Sequence, residues 1–142
     1  MPGNSNGPVV VGVDGSEQSI NAARLAAEEA RLRGVELHVV HCVDIQPAIL
    51  HLPEGTTSSK EVARRRHDAV HGAIGEALSD VSYERVGREG YPADELTDYI
   101  EEVGADLLVL GSRGRGRVAG AVLGSTSLRC LEQAKVPVLI VK

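Results

Sequence analysis

Between Ala105 and Ser127 the chain reads ADLLVLGSRGRGRVAGAVLGSTS. Gly111, Gly114, Gly116, Gly120 and Gly124 fall among Arg113, Arg115 and Arg117, and Ser125, Thr126 and Ser127 follow the last glycine. Glycine lets a ligand approach main-chain N–H groups and tolerates positive φ. A helix beginning at the hydroxyl residues adds free N–H donors and a partial positive charge. That combination suits an anion, above all a phosphate. The arginines have two readings that the sequence leaves open: contacts to phosphate oxygens, or solvated side chains.

The spacing excludes two common loops. G-x-x-x-x-G-K-[ST] is absent, and no lysine lies between Ala105 and Ser127. G-x-G-x-x-G is absent too, because Gly120 falls one residue late after Gly114 and Gly116. What stands there is G-x2-G-x9-G-S, from Gly111 and Gly114 to Gly124 and Ser125. A further candidate is Asp14, directly after the apolar run PVVVGV. It reads either as a site carboxylate or as a turn and cap carboxylate. His67 and His71, four apart, would share one helical face, but no H-E-x-x-H arrangement or third ligand accompanies them, so no metal site is expected.

The elements that must carry these residues alternate. Pro8–Val13 is an expected strand, followed by a turn with Ser16 as N-cap. The next helix carries Ile20, Ala23, Leu25, Ala27, Ala30 and Leu32 as its apolar residues and stops at Gly34. Val35–Val43 is the second strand; a βαβ unit of this kind implies parallel pairing. Asp44–Ser59 is irregular, and reads as a flap or a plain loop. Lys60–Leu78 is helical, with Val62, Ala63, Ala69, Val70, Ala73, Ile74 and Leu78 as its stripe and Arg64, Arg65 and Arg66 as a solvated face. Val81–Arg88 alternates like an edge strand. Pro92–Val103 is a helix, Leu107–Leu110 a strand buried on both faces, Ser125–Gln133 a helix and Val136–Val141 the last strand.

Five strands and four helices in alternation predict a single-domain α/β fold: a doubly wound, Rossmann-like parallel sheet in the order 3-2-1-4-5, with helices on both faces. Strands one and four are then neighbours, and Asp14 and Gly111 face one another across the crevice. Residues 1–7 (MPGNSNG) are expected as a flexible tail and 8–142 as the domain. The last strand is apolar and lies near the chain end, so it invites pairing with a second copy through Val138–Val141, with Pro137 as a mild brake.

Composition bounds the function. The net charge is −5 over 142 residues, with no Phe or Trp and three Tyr. That argues against nucleic acid and against base-stacking platforms. No charged, apolar leader pattern and no membrane-length apolar run is present, so a cytoplasmic location is expected. Cys42 and Cys130 lie far apart inside apolar patterns and are expected reduced and buried.

The VVVGVDGS start, LHVVHCVD, DLLVLGSRG, LGSTS and the VPVLIVK end together resemble the nucleotide-binding branch of the universal stress protein family over essentially the whole chain. The resemblance implies an ATP site, with Mg²⁺ as a candidate bridge between the phosphates, and commonly a homodimer through the last strand. By position, Asp14 and the main chain at Gly12 and Cys42 would surround adenine. Leu110 and Gly111 would touch the ribose side. Gly114, Gly124, Ser125 and Thr126 would hold phosphates, with Arg113 a further candidate. Phosphoryl transfer needs a base and a positioned acceptor, and the resemblance puts Asp14 by the adenine. The expected function is therefore a nucleotide-dependent stress regulator without assigned catalytic residues. The alternatives are a weak ATPase or self-phosphorylating enzyme, with Ser112, Ser125 or Thr126 as acceptor, and a dimeric interaction module that binds no nucleotide.

Overall fold

The computed structural model describes residues 7–44, 58–113 and 123–142. They form β1 (Val9–Val13), α1 (Glu17–Arg33), β2 (Leu37–Val43), α2 (Ser59–Ala77), β3 (Glu84–Glu89), α3 (Pro92–Val103), β4 (Leu107–Gly111), α4 (Ser125–Gln133) and β5 (Val138–Val141). The sheet order is β3-β2-β1-β4-β5, and every pairing is parallel. This is the expected doubly wound architecture. The loop at 45–57 and most of the expected tail lie outside the described residues. Gly7, the last residue of that tail, donates its N–H to Asp106 Oδ2 at 2.8 Å.

The two-residue period of the strands sorts the core into two layers. Val9, Val11, Val13 and Val39 face α1 and α2. Val10, Val40, Leu108 and Leu110 face α3 and α4. β1 is buried along its whole length because both faces are covered. β3 and β5 are the edges. Among the described residues no helix is long and apolar enough to cross a membrane.

The helix boundaries follow local chemistry. Ser16 and Ser58 cap α1 and α2, accepting from the N–H groups of Ser19 and Glu61. Gly34 and Gly104 close α1 and α3 with φ of 68° and 63°, the left-handed conformation that favours glycine. Four strands start later than expected: β1 by one residue, β2 and β5 by two and β3 by three. Val81 N donates to Leu78 O at 3.0 Å, so that turn delays β3 to Glu84. Pro137 O accepts from Leu108 N, and β5 begins at Val138 rather than Val136.

The buried stripe of α1 differs from the expected one. Leu25 and Leu32 are 38% and 65% exposed, whereas Ala22, Ala23 and Ala26 are fully buried. Small side chains let the helix axis sit close over β1 and β4, and the leucines fall on the outer flank. On α2, likewise, Ala69 is exposed and His71 takes part in the buried face. Ala26→Leu should therefore cost about 1–3 kcal/mol through overpacking, while Leu32→Ala should stay within about 0.5 kcal/mol. Urea denaturation of the two variants checks this, and the reverse ranking would contradict the observed face.

Candidate functional site

The carboxyl ends of β1, β2 and β4 meet the amino ends of α3 and α4 around a cavity of about 220 Å³. Gly12, Asp14, Cys42, Leu110, Gly111, Arg113, Gly124, Ser125 and Thr126 all line it. Gly114, the remaining candidate, lies outside the described residues. A larger groove of about 870 Å³ lies at the other end of the sheet, by the start of β2 and β3. Two charged groups in that groove, Glu28 and Arg31, pair with each other. Parallel sheets of this kind place ligands at the carboxyl end.

At the end of β1, Asp14 Oδ1 accepts from Ser16 N at 2.9 Å. Asp14 N donates to Ser19 Oγ at 3.3 Å, and that hydroxyl donates to Ser16 O at 3.0 Å. One carboxylate oxygen thus shapes the turn into α1 while the residue also lines the cavity. Gly12 has a packing reason of its own. A Cβ there would lie 2.8 Å from Leu110 Cδ2 and 2.9 Å from Leu96 Cδ1, both on cavity-lining leucines. Gly111 is likewise explained by the fold: a Cβ would meet Gln18 C at 2.9 Å and Ser19 N at 3.0 Å. Its missing side chain admits the first turn of α1 against the end of β4.

The two ends of the glycine-rich segment are tied together. Ser112 N donates to Val141 O, and Gly124 N donates to Ser112 O, each at 2.7 Å. Ser127 Oγ donates to Gly111 O at 2.7 Å. These bonds fix the amino end of α4 beside the end of β4. Gly124, its N-cap, is extended with φ −71° and ψ 162°, and among the described residues no side chain caps it. α4 also has no acid in its first turn, unlike α1, α2 and α3. The N–H groups and positive dipole end of α4 therefore meet the cavity without an anion from the helix's own first turn.

On the β2 side, Cys42 is half-buried, and Cys130 is buried nearby in the same apolar layer. Burial first, then the Glu95 carboxylate, pushes the Cys42 thiol up to about 12. Burial likewise raises Cys130 to about 11. Both are free thiols. Cys42 serves as a neutral, polarizable wall, only half-buried rather than buried as expected.

Several lining residues had no sequence signal. Pro92 and Leu96 come from α3, fifty residues from Cys42, and only the fold brings them to the cavity. Ser19 and Ser127 also line it. Ser127 belongs to the LGSTS run, but its inward turn toward Gly111 O depends on how α4 docks. His67 and His71 lie on the opposite layer, and among the described residues no group of three or more His, Cys, Asp or Glu is placed to hold a metal ion.

A family model described as the universal stress protein family matches residues 6–142. A universal stress protein of Mycobacterium tuberculosis is 35% identical over 143 residues, covering 100% of this chain and 48% of that protein. The chain thus spans about half the length of that curated relative. Among solved structures, a universal stress protein in complex with cAMP is 29% identical, with a TM-score of 0.63 and coverage of 97% of this chain and 98% of that one. A universal stress protein from Archaeoglobus fulgidus in complex with dAMP is 28% identical, with a TM-score of 0.62 and coverage of 97% and 99%.

With both thiols raised so far, neither Cys42 nor Cys130 forms appreciable thiolate at pH 8. Iodoacetamide should leave both unlabelled in the native protein and label both in urea. Rapid native labelling of Cys42, read by mass spectrometry, would contradict its half-buried, neutral setting.

Proposed function

We propose, from the premise that this chain belongs to the universal stress protein family, that it binds an adenine nucleotide, ATP with Mg²⁺ foremost, and acts as a nucleotide-dependent regulator. The observation that carries this reading is the convergence of the motif residues. Gly111, Arg113, Gly124, Ser125 and Thr126 line one cavity together with Gly12, Asp14 and Cys42. The cAMP and dAMP complexes of related proteins support the same ligand class.

The roles follow from chemistry. The uncapped amino end of α4 takes phosphate oxygens, with the Ser125 and Thr126 hydroxyls as further donors or as partners of a phosphate-bound Mg²⁺. Gly114 belongs to the same phosphate group of residues. The Arg113 guanidinium is a candidate counter-charge. Leu110 and Gly111 border the ribose. The Cys42 wall and the Gly12 main chain border the base, and Asp14 completes that end.

A regulator is favoured over an enzyme because Asp14 is the one carboxylate among the described lining residues. Its Oδ1 is engaged by the Ser16 N–H, in the turn that leads into α1. Phosphoryl transfer needs a positioned water or acceptor near the terminal phosphate. Ser112, one of the acceptor candidates, is buried at 9% exposure.

We further propose a homodimer through β5. Its outer edge ends the sheet, Val138–Val141 are only half-buried, and the adjacent α4 exposes Leu128 and Leu131. Strand pairing with a second copy would complete the edge. Light scattering at micromolar concentration should return twice the chain mass, and a stable monomer rejects the dimer.

ATP-Mg²⁺ should raise the melting temperature, and adenine nucleotide should be released from freshly purified, denatured protein. Gly124→Val should abolish the thermal shift. The backbone there is extended, a conformation any residue adopts, so backbone strain would not account for the loss. Circular dichroism verifies the fold of the variant. A full ATP shift in folded Gly124→Val sinks the site. A time course of released phosphate separates the regulator from the ATPase reading, which predicts steady turnover.

A further inference from the structure

Behind β2, away from the cavity, three histidines gather. His41 lies on β2, and His67 and His71 lie one turn apart on α2. His41 Nδ1 and His67 Nδ1 are 2.7 Å apart, with the rings edge to face at 88°. The His71 ring stands 6.3 Å from that of His41, centroid to centroid, and its Nε2 donates to Val86 O at 3.1 Å. His71 Nδ1 is buried and has no hydrogen-bond partner among the described residues. β3 makes room for the group: a Cβ on Gly87 would touch the His67 ring at 3.0 Å, and Gly87 is the register partner of His41.

This packing limits the protons it accepts. A neutral imidazole carries one N–H and one lone pair. The Nδ1–Nδ1 contact needs one of each, so His41 and His67 cannot both be cations while it stands. A proton on His71 Nδ1 would place a buried N–H where no acceptor waits, which is costly. The surroundings do not compensate fully. Asp14 at the end of β1, Asp68 on α2 and Glu89 on β3 favour protonation, while Arg66 on α2 and Arg85 on β3 oppose it. Asp68 is itself paired with Arg85 and Arg64.

We propose that His41, His67 and His71 form an acid-released clasp that holds α2 on β2 and, through β2, steadies the wall of the cavity. Val40 and Cys42, on either side of His41, line that cavity from the opposite face of the strand. Asp14, whose charge favours protonation of His41, lines the cavity as well. Protons that open the seam thus reach the ligand site across a single strand.

The direction of the pH effect follows from linkage. Burial, with the neighbouring imidazoles adding to it, lowers His41 to about 4, and burial also lowers His67 and His71. An opened seam returns the rings to about 6.5. The open form then binds more protons between these values, so the closed form is fully favoured above about pH 6.5 and loses ground as pH falls toward 4.

Hydrogen exchange on the full chain tests the clasp. After correction for intrinsic rates, α2 amides should lose at least about tenfold more protection than α3 amides between pH 7.5 and 5.0, each refused proton contributing up to about tenfold per pH unit. His67→Gln keeps a donor and an acceptor opposite His41 without a titrating charge, and should flatten that difference. Equal pH dependence in α2 and α3, or an unchanged difference in folded His67→Gln, overturns the proposal. Should the variant not fold, imidazole titration of the wild-type protein by NMR decides: His41 and His67 both titrating near 6.5 with α2 still docked overturns it, and a depressed His41 supports it. A last arm rests on the nucleotide reading. The ATP-Mg²⁺ thermal shift should shrink from pH 7.5 to 5.5 by more in wild type than in His67→Gln, and an equal loss in both removes the link to the cavity. Absence of any shift at pH 7.5 rejects the nucleotide reading, and the exchange experiment still judges the clasp.

Discussion

β1 pairs in parallel with β2 on one side and β4 on the other, and the crevice exists because of that placement. Connections from a central parallel strand must leave in opposite directions, so a gap opens where they part. Asp14 follows β1 and Gly111 ends β4, so both arrive at that gap. The pairing is held by a strand with no solvent-exposed face: Val9, Val10 and Val11 are fully buried. Burial of that kind fixes register strongly, because a slip by one residue would reverse every side chain. The site is therefore a product of the core rather than an addition to it.

The amino end of α4 is positioned by the same sheet. Backbone bonds from Ser112 to Val141 and from Gly124 to Ser112 leave α4 little choice of where to begin. Its first turn differs from the others in what it lacks. α1 and α2 spend a serine on capping, and α1, α2 and α3 carry an acid near their starts. α4 has neither, and an uncapped, uncompensated helix end costs stability unless something else supplies the anion. A phosphate of the proposed nucleotide would supply it directly, and water supplies it less well. On that proposal, the same deficit that weakens the empty helix end would strengthen the bound one.

Much of this was legible in the sequence, for physical reasons that can be named. Pro92 and Gly104 punctuate α3, and its predicted span agrees with the observed one. The glycine spacing, the hydroxyl run and the strand before them located the cavity, because these features act within a few residues of one another. What escaped was set at long range. The α1 face was misjudged because leucines outrank alanines in any hydrophobic count, while close approach to the sheet selects the smaller side chain. Gly12 and Gly111 carry no mark showing that Leu110, Leu96 and the first turn of α1 require them small. His67 and His71 could be paired by helical spacing, but the partner on β2 appears only when α2 is laid across the strand.

β2 shows why such long-range facts matter for function. Its two-residue period sends Val40 and Cys42 to one layer and His41 to the other. A strand has no thickness to insulate one face from the other: moving its backbone by a fraction of an ångström moves both sets of side chains. Packed interiors do not absorb such shifts gradually, because their contacts are already at closest approach. The residues of β2 therefore cannot be divided into those that serve the cavity and those that serve the fold. On the proposed clasp, charge placed at His41 presses on α2 directly and on the cavity wall through the same backbone, and a ligand packed against Cys42 would press back. By reciprocity, whatever an occupied cavity does for the docking of α2, a docked α2 does for occupancy.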